Sequence, residues 1–198
     1  MTALRPHTLS TVRVRPIEPT DRDALAAAFE TLSADSRMHR FLGPKRALSD
    51  RELTYLTEVD HVTHEALVAT DDQGHIIAVA RYAAWPPSSR ESAELAFVVV
   101  DEWQGRGIAS AIAPRVIARA RGNGFSRLTA TTFGDNMASR AVLGRLGFEP
   151  VGSADGLLSY ELELRVSAPE HEHGARRLMR IGDIAAELAI RRPWRPAY

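Results

Sequence analysis

Apolar and polar positions along this chain change period several times, and each change marks an element. Thr11–Ile17 (T-V-R-V-R-P-I) alternates apolar and basic residues, the period of a half-buried strand, which Pro16 and Pro19 end. A helix is expected from Thr20, where T-D-R-D resembles a capping box and Leu25, Ala28, Phe29 and Leu32 recur at helical spacing. Ser36–Pro44 reads as an irregular or short helical link, and the box Ser49-Asp50-Arg51-Glu52 opens a helix carrying Leu53, Leu56 and Val59. His64–Thr70 and Ile76–Trp85 form a hairpin about the turn Asp71-Asp72-Gln73-Gly74, and Ser92–Val100 is a further strand. Next come a helix from about Gly107 to Arg121 stopped by Gly122 and Gly124, a strand at Ser126–Thr132, a helix at Asn136–Leu146 and a strand at Leu157–Leu164. The order β-α-α-β-β-β-α-β-α-β predicts an α/β fold with one mixed central sheet and helices on both faces.

Beyond Arg165 the pattern changes. Val166–Gly174 is a polar linker, and Leu178, Ile181, Ile184 and Leu188 then fall on one helical stripe that Pro193 stops. The expected division is therefore a domain over residues 11–165 and a linker with a C-terminal helical tail over 166–198. That stripe is too short to stand alone in water, so it is expected to pack on its own domain, to meet a twofold partner in a homodimer, or to fray.

Composition narrows the function classes. A chain of 198 residues with 44% hydrophobic and 25% charged residues suits one globular domain with an extension. Formal net charge is +0, so no long-range field favours nucleic acid or an anionic membrane. The chain has no cysteine, which excludes disulfides, thiolate metal sites and a cysteine nucleophile. Met1–Val12 lacks the apolar run of a signal peptide and no stretch is long enough to span a bilayer, so a cytoplasmic protein without metal is expected. His61, His64, His171 and His173 read as surface histidines rather than ligands, and Trp85 as a hydrophobe at the hairpin edge.

The candidate chemistry begins at Gln104-Gly105-Arg106-Gly107-Ile108-Ala109-Ser110, between a strand and a helix. A helix start offers unpaired N–H groups and a partial positive charge, and glycines let the backbone approach an anion, which together suit a diphosphate. The Gly-Lys-Ser/Thr of a Walker loop is missing, as is the third glycine of a dinucleotide fingerprint.

Gln104-x-x-Gly107-x-Ala109 resembles the motif by which GNAT acetyltransferases hold the pyrophosphate of CoA. Asn136-x-x-Ser139, running on to Arg145-Leu146-Gly147-Phe148, resembles the second GNAT signature, whose asparagine reaches the cofactor. The resemblance implies a GNAT fold over about Thr11 to Leu164, acetyl-CoA as cosubstrate, and cofactor contacts at Gln104 through Ser110, Asn136 and Ser139. It also implies that the backbone of Val98 and Val100 pairs with the pantetheine arm, Val98 N–H steadying the acetyl oxygen.

Glu94, within Ala93-Glu94-Leu95-Ala96-Phe97 and ten residues before Gln104, resembles the catalytic glutamate of protein-lysine acetyltransferases. Alternation gives it the apolar same-face neighbours Ala96, Val98 and Val100, which raises its pKa toward that of a useful base. Its structural alternative is a pairing with Arg81 or Arg90. Two departures from the family stand out: Pro114 in the phosphate helix, expected to kink it, and Leu143 at the position of the family's acid tyrosine. Solvent, Tyr82 or Tyr160 remain as proton donors. Leu32-Ser33, Ser36-Arg37, Arg40-Phe41-Leu42-Gly43 and Ala80-Arg81-Tyr82 resemble the catalytic domain of bacterial Pat-type protein-lysine acetyltransferases. A protein lysine is therefore the expected acceptor, with a small-molecule amine, or a non-catalytic acetyl-CoA binder, as the alternatives.

Overall fold

The computed structural model describes residues 12–164 apart from Trp85, Ser88 and Ser89. The linker and tail expected over 166–198, and Trp85, lie outside the described residues.

The strands are β1 (Arg13–Pro16), β2 (His64–Thr70), β3 (Ile76–Ala84), β4 (Ser92–Val99), β5 (Arg127–Phe133), β6 (Glu149–Ala154) and β7 (Leu157–Glu163). The helices are α1 (Arg22–Glu30), α2 (Ala34–Phe41), α3 (Asp50–Thr57), α4 (Ile108–Gly122) and α5 (Met137–Arg145). One seven-stranded sheet runs in the order β1-β2-β3-β4-β5-β7-β6. Every neighbouring pair is antiparallel except β4 and β5, which run parallel. A parallel pair needs a long crossover, and α4 provides it.

Burial explains which strands the sequence showed. Every residue of β2 is buried, and β3 is nearly so, hence their almost continuous apolar runs. The strand β5 alternates, hiding Leu128, Ala130 and Thr132. All of β6 is exposed, so Glu-Pro-Val-Gly-Ser-Ala carries no pattern, and the strand went unpredicted. Helices cover both faces. Ile112, Val116 and Ala120 of α4 pack on Leu67, Ala80 and Leu95, while Leu25 of α1 and Leu53 and Leu56 of α3 pack on Ala66, Val68 and Val79. Burying one such aliphatic side chain contributes about 1.5–3 kcal/mol.

Helix starts follow local chemistry. Ser49 Oγ accepts the Glu52 N–H while the Glu52 carboxylate accepts the Ser49 N–H at 2.7 Å, the expected box. At α1 the expectation needs correction. Thr20 sits inside a 3-10 turn, Pro19–Asp21, and Asp21 is the residue that accepts the Glu18 N–H at 2.9 Å. Arg15 grips the same carboxylate with both terminal nitrogens at 2.6 Å, which holds its pKa below the usual carboxylate range. Pro114 lies on the exposed side of α4, and the helix continues through it to Gly122. Among the described residues no helix is long and apolar enough to cross a membrane.

Candidate active site and ligand cleft

The cleft comes from a pairing that stops early. The parallel ladder holds Ser92 to Arg127, Ala93 to Leu128 and Glu94 to Thr129, and no further. Beyond Glu94 the remaining residues of β4 pair with β3 alone, and β5 continues against β7. The space between the diverging strands has backbone groups along its β4 side and helix starts at its open end, because parallel strands send both α4 and α5 out from one edge.

The β4 register decides which amides face that space. Val100 N–H donates to Ile77 O at 2.9 Å, continuing the pairing of Val98 with Val79. Alternation in an antiparallel ladder then turns the N–H groups of Val98 and Val100 toward β3, and those of Phe97 and Val99 toward the cleft. The Val99 carbonyl agrees, since it accepts the Gln104 side-chain amide at 3.1 Å rather than a strand. The amides of Val98 and Val100, expected to pair with a pantetheine arm, thus face β3, and the amides free toward the cleft are those of Phe97 and Val99.

At the open end Gln104 leaves a short 3-10 turn, Asp101–Trp103, in extended conformation. Gly105 and Gly107 follow at φ 73° and 77°, values an L side chain rarely adopts, and a Cβ at either would meet nothing within 4 Å. The space over the turn is therefore open. Gly107 caps α4 without a side-chain bond, and the first intrahelical bond runs from Ala111 N–H to Gly107 O at 3.0 Å. The amides of Ile108, Ala109 and Ser110 precede it, and this group of N–H donors with the helix's positive end suits an anion. Arg106 folds back over Trp103, 4.8 Å from its ring, and donates to Glu102 O at 2.9 Å. Asn136 caps α5, its Oδ1 accepting Ser139 N–H at 3.0 Å, so its oxygen has a structural task. Arg145 reaches Ser110 Oγ at 3.4 Å, linking α5 to the start of α4.

Glu94 stands where the cleft begins, on the sheet face opposite α4. Burial raises its pKa above the ordinary carboxylate value, and Arg40 partly offsets the rise. Neither arginine named as its structural partner is one. Arg81 donates to His64 Nε2 at 3.1 Å and to Leu56 O at 3.2 Å, and Arg90 lies over the Phe125 ring. Among the described residues the Glu94 carboxylate has no hydrogen bond or ion pair.

Of the residues around it, the sequence marked Arg81 as a pairing partner, His64 as a surface histidine and Arg40 only within the family resemblance, and Tyr55 went unnoticed. Arg40 arrives from α2, Tyr55 from α3, Arg81 from β3 and His64 from β2. The Tyr55 ring stacks on His64 with centroids 4.7 Å apart. Burial and then Arg81 push His64 down to about 3, so the ring is neutral and, accepting from Arg81 at Nε2, keeps its proton on Nδ1. This corrects the reading of His64 as a surface histidine. Burial first, then Arg40, lowers Arg81 to about 9, a range in which a guanidinium still carries its charge at neutral pH. An arginine inside the apolar run I-I-A-V-A-R-Y-A-A of a central strand was the available signal.

The helix α2 hangs across this site. Asp101 accepts Ser33 N–H at 3.0 Å, Ser33 Oγ at 2.7 Å and Ser36 Oγ at 2.9 Å, and Gln104 donates to Ser36 Oγ at 3.1 Å. On the other lip His39 Nε2 lies 3.6 Å from Asp135. Behind α2 a small, partly open pocket is lined by residues such as Leu25, Phe29, Leu56, Val98, Arg40 and Arg81.

The tyrosines offered as proton donors are placed elsewhere. Tyr82 is fully buried under α4, its hydroxyl donating to Val62 O at 3.1 Å and accepting from Asn123 at 2.6 Å. Tyr160 and Leu143 are both core residues on that same side.

The sequence profile of a family described as acetyltransferase (GNAT) domain matches residues 11–149. The chain is similar to Acetyltransferase Pat of Mycolicibacterium smegmatis, 34% identical over 155 residues that make up 76% of this chain and 45% of that protein. It thus spans less than half the length of that relative. An acetyltransferase of Pseudomonas aeruginosa is 31% identical over 147 residues, 73% of this chain and 77% of that protein. In structure the chain resembles the GNAT domain of S. lividans PAT, with a TM-score of 0.72 and 30% identity over 81% of this chain and 99% of that one.

Proposed function

The chain belongs to the GNAT acetyltransferases, and on that premise we propose that it transfers an acetyl group from acetyl-CoA to a primary amine, a protein lysine by preference. The observation that carries the reading is the Glu94 carboxylate, unpaired among the described residues, at the point where β4 and β5 part. Acetyl-CoA is the donor substrate: it supplies the acetyl group as a thioester, so that an amide C–N bond forms as the C–S bond breaks.

The chain's own groups divide the work. The amides of Ile108, Ala109 and Ser110, over the open turn at Gly105 and Gly107, would hold the pyrophosphate, and Gln104 would orient the turn through Val99 O. Phe97 and Val99 would pair with the pantetheine arm as a neighbouring strand does. Glu94 takes the proton of the acceptor amine. A lysine with its ordinary pKa near ~10.4 is mostly ammonium at neutral pH and must lose that proton to react. A carboxylate held above its ordinary pKa is the better acceptor for it. With Tyr82 and Tyr160 both in the core, water at the open end of the cleft supplies the proton to the departing sulfur. The kinship with Acetyltransferase Pat supports protein lysine over a small amine.

The test is release of CoA thiol in the presence of acetyl-CoA and lysine peptides, with the acetylated product identified by mass. Acetyl-CoA binding in the micromolar range, roughly −8 kcal/mol, should accompany it. Binding without acetylation of any amine would make the protein a regulatory acetyl-CoA binder.

A further inference from the structure

Most other half-buried cations among the described residues meet a carboxylate, Arg140 excepted, which donates to Gly134 O at 2.8 Å. Arg15 pairs with Asp21 at 2.6 Å, Arg119 with Glu65 at 2.6 Å, and Lys45 with Glu52. Arg40 and Arg81 do not. Among the described residues Arg81, 5% exposed, bonds only to His64 and the Leu56 carbonyl, and its Nε has no partner. Arg40 has no carboxylate at ion-pair distance among the described residues, its guanidinium lying 5.1 Å from the Phe41 ring. Both line the same otherwise apolar cavity, and the Arg40 charge is felt at Glu94.

The charges facing this space do not balance. Two guanidiniums, from α2 and β3, stand against the single carboxylate of Glu94 on β4. Tyr55 on α3 and His64 on β2 are neutral there. Charge buried without a counterion is costly, and an incoming ammonium would add a like charge. Arg81 is fixed by its two acceptors. Arg40 makes no hydrogen bond to a described residue and sits half-buried at the cavity's edge, free to receive a ligand.

We propose that Arg40 is a specificity residue that receives a carboxylate carried by the acceptor next to its reacting amine. Two sources offer that chemistry: an acidic side chain beside a target lysine, or the α-carboxylate of a free amino acid whose apolar side chain enters the cavity. The inference rests on the acetyl-transfer reading only for what happens after binding. A planar guanidinium matches a carboxylate in two parallel hydrogen bonds, which a lone ammonium acceptor cannot use.

The experiment uses matched probes on the full chain saturated with CoA. One pair is a capped Glu-Lys-Glu peptide against capped Gln-Lys-Gln, and the other is leucine against leucine amide. Calorimetry reads binding, and thiol release with acetyl-CoA reads kcat/KM. The carboxylate member of one pair should be preferred by tenfold or more, and which pair it is names the source. Arg40→Gln should reduce the ratio below about twofold, Arg40→Lys should restore part of it, and unchanged CoA affinity certifies that both variants are folded. Equal binding within both pairs, or a preference that survives Arg40→Gln, overturns the proposal. Preferential binding without turnover of any probe keeps Arg40's role and sinks the acetyl-transfer reading. Turnover without preference does the reverse.

Discussion

Two glutamates stand on the strands that flank β3, on opposite faces of the sheet, in opposite circumstances. Glu65 of β2 faces α4 with no exposed surface. One oxygen accepts from Arg119 at 2.6 Å, and the other meets His61 Nδ1 at 2.8 Å and its neighbour's Ala66 N–H at 2.9 Å. Around it Tyr82, Asn123 and the His61 carbonyl close their own hydrogen bonds. Glu94 of β4 faces α2 and α3 with no bond at all among the described residues, in a surplus of positive charge. A buried carboxylate with both oxygens engaged ties elements together and has little left to offer a substrate. The unengaged one raises the energy of the folded chain and is for that reason able to accept a proton.

The comparison breaks first at turnover. Glu94→Gln keeps the shape but cannot take a proton, so turnover near neutral pH should fall by roughly 10²–10⁴ while acetyl-CoA affinity holds. Steady-state kinetics beside calorimetry would show it, and full activity across a pH series would make Glu94 structural. The same variant should melt higher than the native protein at neutral pH. A carboxyl whose folded pKa is raised favours folding below its ordinary pKa of 4.5, and that contribution is lost as pH rises through the folded value. The gain in Tm should therefore vanish in acid.

Next in size comes the anion turn. Gly107→Val places a β-branched residue at φ 77° and fills open space over the α4 start, so acetyl-CoA affinity should fall about a hundredfold, roughly 3 kcal/mol. Stability in the absence of ligand should fall much less. Glu65→Leu sharpens the contrast from the other side: it removes charge-assisted bonds and should cost about 2 kcal/mol in denaturant unfolding, with kcat per folded molecule preserved. A large kcat loss there would mean that the two clusters are coupled through the sheet. The smallest effect is His64. Its folded pKa is about 3 against an ordinary 6.5, so the neutral ring's contribution is complete above 6.5 and is lost as pH falls toward 3. His64→Gln should flatten that part of the curve of stability against pH.

Most of the architecture was legible because burial imposes period on sequence. The residues that proved invisible were those that burial left unmarked. β6 is exposed at every position, and α2, with none of its residues buried, has no apolar stripe. The turn at Gln104–Ser110 was readable, since glycine at positive φ before a helix is a local demand. Which β4 amides face the cleft was not readable, because a register depends on where β3 lies, and one residue's shift exchanges the two edges. The cluster about Glu94 joins α2, α3, β2, β3 and β4, residues far apart in sequence, and only folding shows that Arg40 and Arg81 face one pocket.

The early end of the β4–β5 ladder has a consequence for how this protein lives in a crowded solution. An unpaired strand edge is ordinarily a hazard, a template on which another chain can add itself and start a fibre. Here the free edge lies in the interior of a seven-stranded sheet, walled by β5 on one side and roofed by α2, which Asp101 holds in place. A slender guest with an anionic head for the turn at Gly107 would suit such a slot. The sheet can thus remain unfinished in every molecule without being sticky, and the guest that completes it also adds to its resistance to unfolding, in proportion to the logarithm of its concentration.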